Sequence, residues 1–284
     1  MRELINSKIL FSGVQKIAIS IVVGWSITAG AVPTVFRAAG DIGAGIAGFQ
    51  TALGDPNNGN APGPIANGRR QINWDAGIVP FDMPADFFNS APTTRGAVFS
   101  TEGPGFRVSN DSEGINDNEF DTLNPTYSDQ FTTFSSPRLF TPFGSNVLDV
   151  NFFVPASNTQ AVVSGFGAIF TDVDLNDSTQ LEYFDLNNNL LLSEFVDPDP
   201  QGLSFLGATF TDNSIGRVRI TSGNALIGLD DDPTNGVDIV VMDDFLYSEP
   251  NAADVVTPEP STFALMGVGI SALFVGYRRK RLNK

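Results

Sequence analysis

The chain contains no cysteine and no histidine. Without cysteine there are no disulfides, no thiol nucleophile and no thiolate metal site. Without histidine the chain lacks the usual general base near neutral pH and the commonest zinc ligand. A Ser-His-Asp triad and a His-containing zinc site are both excluded. Lysine is almost as scarce. Lys8, Lys16, Lys280 and Lys284 all lie in the terminal segments. Between Val32 and Thr257 the cations are eight arginines, set against thirty acids, so the formal charge of -16 understates the acidity of the body. Phosphate backbones need concentrated positive charge, so nucleic acid is a poor partner. Divalent cations suit such a surface, and so does a soluble secreted protein kept apart by self-repulsion.

What is present begins with two unusual ends. Arg2, Lys8 and Lys16 open the chain, and an apolar run follows from Ile17 to Ala31. That is the pattern of a signal peptide, with Ala29 and Ala31 as the small residues a signal peptidase reads. Residues 1–31 are therefore expected to form a signal helix removed after Ala31, the alternative being an uncleaved anchor. At the other end, "TPEPSTFALMGVGISALFVGYRRKR" joins a Pro-Glu-Pro triplet to 16 uncharged residues, Thr262 to Tyr277, and then to Arg278–Arg281. As a helix that run is about 24 Å long, slightly short of a hydrocarbon core, and flanking cations can snorkel to make up the difference. The positive-inside rule leaves both ends in the cytoplasm and the body outside. A buried core helix fits less well, because the run is apolar on every face.

Residues 258–284, with Pro258, Glu259, Pro260 and Ser261 ahead of the helix and the basic cluster behind it, resemble the PEP-CTERM sorting signal of Gram-negative bacteria. The resemblance implies export, transient anchoring in the inner membrane, and processing by an exosortase. It also implies delivery to the cell surface or the extracellular polysaccharide matrix. Pro258, Glu259 and Pro260 are then residues of a substrate, recognised by the sorting enzyme.

In the body, "DIGAGIAGFQTAL" (41–53) places Ile42, Ile46, Phe49 and Leu53 on one helical face. A Gly/Pro/Asn loop follows. Residues 32–95 read as an N-terminal extension, 96–250 as a β-sandwich domain and 251–257 as a linker. Strand patterns occupy 96–100, 105–109, 146–155, 161–173, 203–210, 216–223 and 238–250, and 180–195 reads as a hairpin about Asn187-Asn188-Asn189. Strands every ten to fifteen residues with polar turns predict a mostly β, antiparallel sandwich or jelly roll. Val218 and Ile220 are expected inside, and Arg217 and Arg219 outside. Segments such as "GFGAIFTDVD", "LEYFDLNNNLLL" and "LSFLGATF" resemble the β-sandwich bodies of other exported PEP-CTERM proteins, which are similar to carbohydrate-binding and lectin-like jelly rolls. "RRQINWDAGIVPFDMPADFFN" (69–89) resembles a recurring piece of such proteins with no assigned role.

Candidate chemistry is sparse. Asp172, Asp174, Asn176 and Asp177 in "DVDLND" offer alternating oxygens that suit a hard cation such as calcium. The match to an EF-hand loop fails, since Asp177 stands where glycine is needed and Tyr183 where glutamate is needed. Asp243 and Asp244 are candidate distant ligands, and Asp230–Asp232 form another acidic turn. Equally, Asp and Asn are simply good turn formers. Trp74, between Asn73 and Asp75, is either a sugar-stacking ring or a core residue. Two carboxylates suffice for glycoside hydrolysis, but no acid–nucleophile pair stands out. The expectation is a noncatalytic, exported surface or matrix protein, structural or associated with biofilm and exopolysaccharide, with signal peptidase and exosortase as processing partners. The alternatives are a calcium-assisted carbohydrate-binding module and, more distantly, a secreted glycosidase.

Overall fold

A computed structural model describes residues 32–109 and 117–253. The expected signal helix with Ala29 and Ala31, and the tail with Pro258, Glu259, Pro260 and its apolar helix, lie outside the described residues. In chain order the strands are β1 (Thr34–Ala39), β2 (Arg69–Ile72), β3 (Asp82–Met83), β4 (Ala97–Thr101), β5 (Gly105–Val108), β6 (Phe140–Phe143), β7 (Val147–Phe152), β8 (Ala161–Val162), β9 (Gly165–Val173), β10 (Gln180–Phe184), β11 (Leu190–Phe195), β12 (Asp199–Thr209), β13 (Arg217–Thr221), β14 (Val241–Ser248) and β15 (Asn251–Ala252), with one α-helix, α1 (Gly43–Leu53).

The strands form two main antiparallel sheets packed face to face. One runs β1-β12-β9-β14-β6-β5-β3, with β2 pairing the second half of β14. The other runs β11-β10-β13-β7-β4. A two-residue pair, β8 with β15, fastens the end of the described chain. Alternation sets the core. In β9 Phe166, Ala168 and Phe170 point to the same side as Met242, Phe245 and Tyr247 of β14, and meet Val150, Phe152, Tyr183, Val218 and Ile220 of the second sheet. Arg217 and Arg219, on the opposite side of β13, share Asp149 on neighbouring β7. The sandwich and the inward Val218 and Ile220 are as the sequence predicts, as is the antiparallel pair β10–β11.

β9 is buried on both faces. Its outer side, with Phe205 and Leu246, is covered by Ile42, Ile46, Phe49 and Leu53 of α1. The helix lies close because the strands beneath it carry glycine. A Cβ on Gly167 would lie 2.8 Å from the Phe49 ring, and one on Gly207 would lie 2.9 Å from it. The helix ends at Gly54, which takes φ 96° and returns its N–H to Gln50 O at 3.1 Å.

One feature departs from expectation. The segment 32–95, read as an extension, contributes β1, β2 and β3 to the larger sheet and the helix that covers it, so it is part of the sandwich. β4 and β5, on either side of the turn at Gly103-Pro104, belong to different sheets. The turn carries the chain across the sandwich. Gly103 permits this crossing, since a Cβ there would lie 2.1 Å from Phe143 O.

Candidate metal centre

Asp172 stands at the end of β9, where the backbone leaves extended geometry for φ 64°. The next turn, 174–178, is held by a residue from another part of the chain. Asp238 accepts from Asp174 N at 3.3 Å, from Leu175 N at 3.1 Å and from the Ser178 hydroxyl. With its backbone fixed in this way, the turn presents Asp172 and Asp174 to Asp231. One carboxylate oxygen from each of the three lies within 4.8 Å of those of the other two.

The carboxylates differ in their protein partners. Asp172 Oδ1 accepts from Gln201 N at 2.8 Å, and Asp231 Oδ1 accepts from Ile239 N at 2.8 Å. Asp172 is only 1% exposed, and its Oδ2 has no hydrogen-bond partner. Such an oxygen costs about 1–3 kcal/mol or more if nothing satisfies it. Burial, followed by the charges of Asp231 and Asp238, pushes Asp172 up to about 7 against the pull of the Gln201 N–H. Asp174 is also pushed up to about 7, by burial and then by the charge of Asp172. Burial raises Asp231 as well. Three carboxylates this close resist ionising together. A bound hard cation removes that conflict, and an all-oxygen donor set suits calcium or magnesium rather than a softer metal.

The other residues expected here lie elsewhere. Asn176 and Asp177 are exposed on the turn and outside the three-carboxylate group. Asp243 and Asp244 occupy an irregularity in β14, between its pairings at Met242 and Phe245. Phe134 N and Ser135 N donate to Asp243 Oδ2, at 2.7 and 3.2 Å, and Gln71 Nε2 donates to Asp244 Oδ2 at 2.6 Å. Ser135 Oγ lies 3.0 Å from Asp243 Oδ1 and 2.6 Å from Asp244 Oδ1. Ser135 has one hydroxyl proton for these two contacts, and a proton held on Asp243 supplies the other. Burial, then the charge of Asp244, pushes Asp243 up to about 9. This pair is a proton-sharing structural element enclosed by the protein.

Trp74 is a core residue. It is 1% exposed, stacks on Phe140 at a ring separation of 4.0 Å, and donates its indole N–H to Asp243 O at 2.7 Å. Neither ring face is open to a sugar. Phe88, Phe99 and Phe245 complete the aromatic cluster.

Sequence reasoning named Asp230–Asp232 only as an acidic turn and gave Asp238 no role. The clustering of oxygens around 172–177 was visible. Which distant aspartate would approach it depended on the path of the chain from 222 to 241. Away from this centre, two adjoining clefts of about 540 and 380 Å³ share Asn213 and Asn251. Asp55, Asn67, Asp185 and Asn187 add further polar side chains to their walls.

Among the described residues no helix is long and apolar enough to cross a membrane. No curated protein and no solved structure matches the chain. A family model of the PEP-CTERM protein-sorting motif matches residues 256–281, spanning the Pro-Glu-Pro triplet, the apolar run and the basic cluster to Arg281. The chain thus carries a C-terminal PEP-CTERM sorting motif, which implies an exported protein processed by an exosortase and sorted to the cell surface.

Proposed function

We propose that this chain is a noncatalytic component of the cell surface or extracellular matrix of a Gram-negative bacterium, with a structural role in the envelope or biofilm. The observation that carries this reading is the sorting motif at 256–281. On this reading residues 1–31 leave as a signal peptide. Pro258, Glu259 and Pro260 are read by the exosortase, and the apolar run holds the protein in the inner membrane only until the tail is processed. The strongly acidic body, whose arginines are used internally, fits a solvated surface component. A hard dication is assigned to Asp172, Asp174 and Asp231 because all the donors are carboxylate oxygens, and calcium is preferred because its shell tolerates irregular geometry where magnesium demands a near-ideal octahedron.

The mass of the protein isolated from its host tests the sorting route. The expected mass lacks residues 1–31 and the basic end Arg278–Arg281. A mass that retains Arg278–Arg281 makes the tail a permanent anchor and refutes the route.

The two adjoining polar clefts favour a second reading, a jelly-roll module for the cell's own exopolysaccharide. Amide and carboxylate side chains donate to and accept from sugar hydroxyls. A glycan array including the native matrix polymer separates the readings, and absence of binding to every glycan rejects the second.

A further inference from the structure

The three-carboxylate centre lies between parts of the chain that are linked at one end by Asp238, which accepts from Asp174 N and Leu175 N. Asp172 and Asp174 end β9, Gln201 N ties Asp172 to the start of β12, and Asp231 belongs to the loop 225–237. That loop has its own supports. Tyr127 Oη donates to Leu229 O at 2.6 Å and accepts from Gly228 N at 2.8 Å. Asn124 Nδ2 donates to Asp230 Oδ1 at 3.0 Å. These bonds fasten the loop to the 117–131 segment. Toward β9, beyond the bonds of Asp238 at the loop's end, Asp231 brings a carboxylate against two carboxylates.

Among the described residues no cation is available to neutralise them. Arg37 is paired with Glu194 and Asp197, Arg69 with Asp55, Arg70 with Glu249, Arg107 with Asp82, and Arg217 and Arg219 with Asp149. Arg95 binds Asn60 and Gln71 O, and Arg138 binds Ala76 O and Val79 O. The body has no lysine. The buried Asp172 Oδ2 without a partner marks where a ligand is missing from the protein's own inventory. A solvent dication can supply it.

Building on the assignment of this centre to calcium, we propose that it is an export-timed staple: the ion enters only outside the cytoplasm and then ties the loop 225–237 to the end of β9. Three protein carboxylates, each offering one oxygen, leave half or more of a six- to eight-oxygen shell to water, which places affinity in the extracellular class, about 0.1–1 mM. Cytoplasmic free calcium lies far below that range, and external calcium reaches it. The staple therefore closes after translocation, when the chain has folded outside.

The test uses the full chain with calcium chloride and magnesium chloride as the probes. Calorimetric titration should give a calcium dissociation constant of about 0.1–1 mM, with magnesium at least about tenfold weaker. Chymotrypsin cleavage at exposed Leu226 and Leu229 should slow about tenfold in saturating calcium, as the open loop population falls. Asp231→Asn and Asp172→Asn should lose both effects, while Asp185→Asn, in the β10–β11 turn, should keep them. Dissociation constants below about 1 µM would fill the site before export and overturn the timing. Triad-dependent calcium binding without loop protection overturns the staple and leaves the calcium assignment standing. No binding at about 10 mM calcium, or binding unchanged in both variants, defeats the assignment and the staple together.

Discussion

Replacing Glu249 by leucine should be among the most damaging single changes in the body. Arg70 is 0% exposed and Glu249 only 2%. The guanidinium donates Nε to Glu249 Oε2 at 2.7 Å and Nη2 to Glu249 Oε1 at 2.6 Å. Its Nη1 donates to Gly59 O, Ala61 O and Thr94 O at 2.9, 2.8 and 2.8 Å. Asn58 Nδ2 reaches Glu249 Oε2 at 2.8 Å. Glu249→Leu leaves the cation buried against three neutral carbonyls, and breaking such a pair costs about 3–5 kcal/mol. At about 2–4 °C per kcal/mol for a body of this size, the melting temperature should fall by about 6–20 °C. Arg70→Met should cost at least as much, because it also strips donors from three carbonyls. The double variant should cost clearly less than the sum, since neither buried charge is then left unpaired. Urea denaturation of the full chain and its three variants supplies the cycle. A loss below about 1 kcal/mol for Glu249→Leu, or strict additivity, would refute the claim that the pair is closed off from water.

The remaining predictions concern proton uptake, helix packing and the aromatic core. The folded pKa of Asp243, about 9, lies above its unfolded value, so the native state holds a proton that the unfolded chain has released between about pH 4 and 9. Stability should therefore be greatest below that window and decline as pH rises through it. In EDTA, Asp243→Asn should flatten the fall in melting temperature above about pH 7, where Asp172 and Asp174 no longer contribute; an unchanged slope would place the titration elsewhere. Gly207→Ala pushes a methyl against the Phe49 ring and should cost about 1–3 kcal/mol. Gly48→Ala, on the exposed side of α1 with nothing within 4 Å, should instead stabilise by about 0.5–1 kcal/mol in denaturant titrations. Trp74→Ala should destabilise by about 3–5 kcal/mol, whereas Trp74→Phe should leave any glycan-array signal unchanged, because the ring faces no solvent.

The strands from 146 to 250 and the helix at 41–53 were legible because each is a short-range pattern. Val218 and Ile220 alternate with arginines, and Ile42, Ile46, Phe49 and Leu53 repeat at helical spacing. β2 shows where such patterns fail. "RRQI" reads as exposed and basic, yet Arg70 is buried, because its partner is 179 residues away. The two- to six-residue strands β1, β3 and β6 carry too little periodicity to stand out from loops. The centre was half legible for the same reason. Asp172 and Asp174 are neighbours in the chain, whereas Asp231 and Asp238 reach them only through tertiary structure. Asp243 and Asp244 look like equally good ligands on paper. Their carboxylates are instead taken by Phe134 N, Ser135 and Gln71.

The placement of β14 has a mechanical consequence. It lies inside the larger sheet, bonded along one edge to β9 and along the other to β6 and β2, and it is the last long strand before the sorting tail. On the proposed sorting route, drag from a tail held at the membrane would be transmitted through this strand. The two-residue β8–β15 pair is the first to peel. Tension then meets the Glu249–Arg70 clamp and, behind it, ladders running along the line of pull, so that several bonds must shear together rather than unzip one by one. On that route the tether would pull on a strand bonded along both edges, with a short peeling segment in front as a shock absorber.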